Sequence, residues 1–391
     1  MENIISDYYK GDDIKIITPN DGAHYFFAYY DMRATANKSS PHLAHRVQFM
    51  DRLPTAEDIA EIGYLKDGKF YKIAETTAWN FQQGAMLQYH PFLENTVYYN
   101  VCENGEFKTV THNFVTGEKK YTDMATACVS PDGKYGLSVN YGRIYAFRPG
   151  YGYAAFIDEN ANVNHPENDG IYLTDMESGK SKFLISYKDL APISNFDESQ
   201  KILVNHITFN RSSDKFVALV RNFPARGVTW STSMVIGDLQ GNCYTVIKNS
   251  YVSHYHWISG DEIIVHCTPN NSTRMSMFRI DVNTKKFIEY DMPYFNEEHH
   301  PDIHCNISPN GNYIIGDGYP IDGYRHLVAY SLKTGKSRTL LKARSAEDIA
   351  KGDFRCDLHA RFIWDGNAIS FDTTCNNKRE IAIIPVDILD F

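Results

Sequence analysis

Apolar and polar positions along this chain fall into short runs of strand length, separated by turns rich in Gly, Asn, Asp and Pro. The stretch from His304 to Tyr319 shows the pattern most plainly. Ser308-Pro309-Asn310-Gly311 supplies a tight turn, because Pro fixes φ and Asn-Gly tolerates positive φ. Residues Asn312 to Gly316 then run as a half-apolar, half-alternating strand.

Aligning on the apolar residue before that turn, Ile307, places six further copies at Phe27, Tyr89, Val129, Phe209, Trp257 and Phe362. The clearest equivalent turns are Ser130-Pro131-Asp132-Gly133, Asn210 to Asp214 and Trp364-Asp365-Gly366. Each copy is followed by a second hairpin. Its turn is Lys66-Asp67-Gly68, Thr116-Gly117-Glu118, Glu177-Ser178-Gly179, Gln240-Gly241-Asn242, Val282-Asn283-Thr284 or Lys333-Thr334-Gly335. The seventh unit ends at Ile381 to Val386, near the last residue.

Four-strand units repeating every few tens of residues predict an all-β, seven-bladed β-propeller built from four-stranded antiparallel blades. The seventh unit has room for only three strands. The N-terminal run Ile14 to Ile17 is therefore expected to complete that blade, closing the ring and covering an open sheet edge. No Pro- or Ser-rich linker interrupts the repeat, so residues 1–391 read as a single domain.

Composition narrows the function classes. A net charge of −9 without a basic block argues against nucleic acid. No apolar run approaches the length of a membrane span, and the N-terminus lacks a basic-then-apolar leader, so a cytoplasmic protein is expected. Seven cysteines without metal-finger spacing fit a reducing compartment.

Counting back three residues from each alignment position gives His24, Met86, Thr126, His206, His254, His304 and His359. Five histidines at seven equivalent positions, in a chain with only 15, is the main chemical signal. Equivalent positions on inner strands lie at one level of a propeller channel, so these imidazoles are expected to converge on one cavity. Imidazoles gathered together are most naturally held by a metal or an anion, although buried histidines also serve as structural struts. His304 and His359, with Asp357 or Cys356, make a candidate divalent site. Imidazole plus carboxylate suits Mn, Zn or Fe, and a ligating Cys would favour Zn.

Three other segments stand out. Asp51 to Asp58 reads as a short helix with Thr55 as its cap. Gln82-Gln83-Gly84 crowds side-chain amides upstream of an inner strand. The segment from Asn140 to about Gly170, containing Arg143, Arg148 and Tyr153, is expected to be an irregular insertion. Its arginines and tyrosines could grip an anionic, ring-shaped ligand or simply pack over the propeller rim.

Ser253-His254-Tyr255-His256-Trp257, the stretch His304 to Gly318, and Asp357-Leu358-His359-Ala360-Arg361-Phe362 with its Asp-Gly turn together resemble the last three blades of the oligogalacturonate lyases. The similarity extends weakly to Asn205-His206-Ile207 and Arg226. Gln82-Gln83-Gly84 and Arg148 to Tyr151 are more loosely similar to the propeller-type ulvan lyases. The resemblance implies β-elimination at a uronic acid residue, assisted by a divalent metal, usually manganese. By position, it implies that His254 is the catalytic base, Arg226 the charge-neutralising arginine, and His304 and His359 metal ligands. Asp357 stands where the family carries a third ligating His, and no counterpart of its amide ligand is evident near Phe354.

Elimination removes the proton α to a carboxylate. It needs a base near neutral pKa and a cation to offset the enolate-like charge. The chain is thus expected to be a metal-assisted lyase for an acidic oligosaccharide, acting as a monomer or homodimer without nucleic-acid or membrane partners. His206 is a further catalytic candidate, and His24, Gln83, Arg143, Arg148 and Tyr153 are candidate substrate contacts. The alternative is a non-catalytic glycan-binding or glycan-assembly propeller.

Overall fold

The computed structural model describes residues 3–154, 158–223, 230–270, 272–290, 292, 302–349, 352–389 and 391. Seven antiparallel sheets of four or five strands follow one another in chain order, the architecture of a seven-bladed β-propeller. Their first strands are His24–Phe26, Gln88–Tyr89, Thr126–Val129, Ile202–Phe209, Val252–Trp257, His304–Ile307 and Arg361–Ile363. Every alignment residue lies on its first strand or, for Phe27, one position beyond it.

The six glycine- and asparagine-rich hairpins all join the third and fourth strands of their sheets. Gly117 (φ 79°) and Gly241 (φ 89°) show why the residue type matters, since a Cβ there would strain the turn. Lys15–Ile16 pairs with Glu380–Pro385 and completes the seventh sheet as expected. A second N-terminal strand, Ile4–Ile5, adds a fifth strand to the sixth sheet by pairing with Ser337–Arg344, and the sequence had not suggested it.

Two local expectations are corrected. Thr55 to Asp58 is a turn rather than a helix. The Asp58 carboxylate accepts from Thr55 N (2.7 Å) and Oγ1 (2.8 Å) and pairs with Arg52, and the chain enters the strand Ala60–Lys66 two residues later. The insertion after Asn140 lies within the third sheet, between Tyr135–Ser138 and Gly170–Asp175. It opens with a helix, Tyr141–Phe147, because the Asn140 side chain caps it by accepting from Arg143 N. A further helix, Tyr187–Ile193, is capped in the same way by Ser186.

The chain divides into two compact units, residues 1–89 with 290–391, and residues 90–289. In the first unit, Ile315, Leu327 and Leu341 of the sixth sheet pack with Leu358, Ile369, Phe371 and Ile384 of the seventh, joined by Tyr9. In the second, Leu219, Met234 and Ile247 of the fourth sheet pack with Tyr255, Trp257, Val265 and Phe278 of the fifth. Trp257 also donates from its indole to Thr208 O (3.3 Å), tying its strand to the neighbouring sheet.

Deletion of residues 1–18 strips the edge strands from two sheets and removes Tyr9, which is 4% exposed and donates to Pro385 O at 2.7 Å. Burial of one such ring is worth about 2 kcal/mol. The truncated protein should therefore melt at least about 2 °C lower or aggregate. Thermal unfolding followed by circular dichroism checks this; unchanged melting would mean that neither edge strand contributes.

Candidate functional site

The first unit brings three of the expected metal ligands together. His304 begins the first strand of the sixth sheet, while Asp357 and His359 precede the first strand of the seventh. One ligand atom from each lies within 4.8 Å of the other two, and all three residues are buried. Among the described residues this is the one such cluster of three. The Asp357 Oδ2 atom is 4.0 Å from His304 Nε2 and 3.8 Å from His359 Nε2.

Each ring is oriented from its far side. His304 Nδ1 lies 3.4 Å from Asp317 Oδ1, and His359 Nδ1 lies 3.1 Å from Ala28 O. Both Nε2 atoms are thereby turned toward the Asp357 carboxylate. His359 adopts a left-handed backbone (φ 43°), a conformation that side-chain-bearing residues seldom hold without compensation.

Asp357 has its own support. Arg325 Nη1 reaches Oδ1 at 2.7 Å, and Arg355 Nε lies 3.1 Å from Oδ1 and 3.0 Å from Oδ2. Burial alone would raise this carboxyl's pKa. The Arg325 and Arg355 guanidiniums, with His304 and His359, more than reverse that and hold it well below the usual range. For His304, burial lowers the pKa, but the Asp317, Asp357 and Asp302 carboxylates leave it raised overall.

Two imidazole nitrogens and an ionised carboxylate oxygen converging in a buried space, with a carboxylate or carbonyl behind each imidazole, is a donor set that fits a divalent cation. His304, His359 and Asp357 would hold it. Cys356 would not, because its Sγ is directed to Asp357 O (3.7 Å) and burial pushes its thiol up to about 12.

The rings of Tyr29 and Tyr30 lie against this cluster, with centroids 4.9 Å from His359 and 5.9 Å from His304 respectively. Neither tyrosine was singled out by the sequence, nor were Asp317, Arg325 and Arg355. A signal for Asp317 does exist. It stands ten residues after Ile307, as Asp372 stands ten after Phe362, and both carboxylates accept a backbone amide from the following sheet, Leu358 N (2.9 Å) and Phe27 N (3.1 Å).

The other candidate residues are distributed differently. His24 is half-buried, accepts weakly from Arg379 N (3.4 Å), and has its pKa lowered by burial and by Arg379. Within this unit the expected convergence of imidazoles is seen for His304 and His359, whose ring centroids lie 4.5 Å apart. Gln83 sits in a tight turn closed by the Asn80 side chain, which accepts from its backbone N at 2.7 Å. The adjoining Gln82 donates to Arg355 O at 3.0 Å and so anchors the segment leading to Asp357.

In the second unit, His254 lies on Val252–Trp257 where the pairing slips between Val252 and Tyr255, a β-bulge of the kind that re-aims side chains. Its Nδ1 is 3.3 Å from Ser253 Oγ. His206 lies beside a second bulge, and its ring packs on Tyr255 at 4.7 Å. Arg226 falls outside the described residues.

Two expected substrate contacts are corrected. The Arg143 side chain is fully buried, reaching the carbonyls of Ile202 (2.8 Å), Asn164 (2.9 Å) and Val163 (3.1 Å) and pairing with Asp158. It clamps the insertion, and a ligand has no access to it. Tyr153 is equally buried, stacked on Tyr141 at 4.1 Å and held by Asn100 Nδ2 (2.9 Å), and burial pushes its phenol up. Arg148 remains partly exposed. Its guanidinium lies over Tyr151 (4.1 Å) and Trp230 (4.8 Å), and the Trp230 ring is 40% exposed. An indole face with a neighbouring guanidinium suits a sugar ring bearing a carboxylate.

No helix among the described residues is long and apolar enough to cross a membrane.

No protein-family model matches the sequence, and no curated protein matches it. Solved structures do. An oligogalacturonate lyase in complex with manganese is 14% identical, with 98% of this chain and 96% of that one covered and a TM-score of 0.66. An oligogalacturonate lyase from Vibrio parahaemolyticus is 13% identical over the same coverage, also with a TM-score of 0.66. The β-propeller domain of the trilobed protease from Pyrococcus furiosus is 12% identical over 93% of this chain and 96% of that domain, with a TM-score of 0.51. At these identities the similarity establishes the propeller fold.

Proposed function

We propose that this protein is a lyase that cleaves uronic-acid-containing oligosaccharides by β-elimination, with a divalent cation, Mn or Zn, held by His304, His359 and Asp357. The observation that carries the reading is the convergence of two Nε2 atoms on Asp357 Oδ2, with the opposite ring nitrogens facing Asp317 and Ala28. A cation bound there supplies the positive charge that offsets the enolate-like carboxylate of the intermediate. The resemblance to the lyases, in the motifs and in the fold, points the same way.

The chain's own residues then divide the work. His254 takes the proton from the carbon α to the uronate carboxylate. The bond from the β carbon to the glycosidic oxygen breaks with its electron pair leaving on oxygen, a carbon–carbon double bond forms, and the proton passes to the leaving oxygen. Arg226 neutralises charge on the carboxylate, and His206 is the reserve base. Arg148 with Trp230 grips an acidic sugar, and His24 and Gln83 are further candidate contacts.

A second reading has an observation of its own. Arg325 and Arg355 give Asp357 its counter-charge without a cation, and His304, Asp357 and His359 are at most 3% exposed. A cluster of that kind can act as a strut between sheets, and the protein would then bind glycans without cleaving them. Incubation with a panel of uronate oligosaccharides, followed by the ultraviolet absorbance of the unsaturated product, separates the two. Absorbance growth that requires added Mn or Zn supports the lyase. Saturable binding without absorbance on any member of the panel supports the binding protein.

A further inference from the structure

Asp317 is the last residue of the strand Tyr313–Asp317, whose partner is the strand carrying His304; the two residues face each other in the register. Its carboxylate is fully buried and is divided between two tasks. Oδ1 lies 3.4 Å from His304 Nδ1, and Oδ2 accepts from Leu358 N at 2.9 Å. Leu358 is the residue between Asp357 and His359. One carboxylate thus touches the ring of one ligand on the sixth sheet and the backbone that carries the other two on the seventh. Arg325 stands beside it, with Nη1 3.9 Å from Asp317 Oδ2 and 2.7 Å from Asp357 Oδ1.

We propose that Asp317 is the positioning residue of the cation site: it selects the His304 tautomer with the proton on Nδ1, leaving the Nε2 lone pair for the cation, and holds Asp357 and His359 at a fixed distance from that ring. This rests on the cation reading of His304, His359 and Asp357. The physical reason is that a ligating imidazole is stiffened and made more basic by an acceptor on its other nitrogen. A substitution that keeps the amide acceptor and removes the charge separates that role from mere bracing.

Calorimetric titration of the apo-protein with Mn²⁺ and with Zn²⁺ tests the proposal. Asp317→Asn should weaken binding by about 10- to 100-fold, the usual effect of losing such an outer partner. Equal affinity of Asp317→Asn and the parent overturns the positioning role while leaving the cation site standing. A parent that binds neither ion overturns both. If Asp317→Asn does not fold, ¹⁵N NMR of the histidine-labelled parent decides: protonation of His304 at Nδ1 in the cation-loaded protein is expected, and protonation at Nε2 overturns the proposal.

Discussion

Replacing His254 with alanine is expected to lower kcat on a uronate oligosaccharide that the parent cleaves by about 10²- to 10⁴-fold, the range that a positioned general base contributes. An imidazole is the side chain whose unperturbed pKa allows it both to take a proton near pH 7 and to return it to a leaving oxygen. His254 is 5% exposed and lies in a bulged stretch of its strand, where neither of the flanking pairs, Val252 with Cys267 and Tyr255 with Val265, depends on its side chain. The melting temperature should consequently change little. Steady-state kinetics and a melting curve on the same preparation check both halves. Parent-like turnover would move the base elsewhere, with His206 the next residue to substitute, and a collapse in stability would make His254 a strut.

Asp357→Ala should have the largest effect on the folded state. In the cation-free protein it removes the carboxylate shared by Arg325 and Arg355 while leaving both guanidiniums buried beside His304 and His359. Breaking a buried ion pair from one side typically costs about 3–5 kcal/mol, because the surviving charge keeps its desolvation penalty. For a chain of this size that is a fall in Tm on the order of 5 °C. Asp357→Asn retains an acceptor and should fall less far. Urea unfolding of the two variants, with the slopes compared, measures the difference. If Asp357→Ala is as stable as the parent, the carboxylate is not the counter-charge that the geometry makes it. The same variant should lose divalent-cation uptake, since one of its three ligands is gone.

Arg143 and Tyr153 show where reasoning from residue type stops. In the sequence they are an arginine and a tyrosine in a long insertion, the right chemistry for an anionic sugar. In the structure Arg143 binds a backbone carbonyl of its own insertion and that of Ile202, where the next sheet begins, and Tyr153 stacks on Tyr141 and accepts from Asn100. A guanidinium offers the same five donors to a carbonyl as to a carboxylate. Which it meets depends on what the fold places around it.

The repeat was legible because its cause is local. A hairpin needs Gly, Asn or Asp where φ is positive, and a half-buried strand needs apolar residues at alternate positions, so the seven units and their turns are written residue by residue. The histidine register follows from the same alignment, and with it the approach of His304 to His359, whose ring centroids are 4.5 Å apart. The edge strand at Ile16 was also recoverable, since the seventh unit visibly lacked a strand. What only the tertiary structure decided is which charges share the buried space. Arg325 and Arg355 reach Asp357 from the strand Tyr324–Ser331 and from two residues upstream, and Asp317 reaches across to Leu358 from 41 residues away. Such pairings carry no periodicity, because burial rewards any arrangement that neutralises a charge, whatever its distance along the chain.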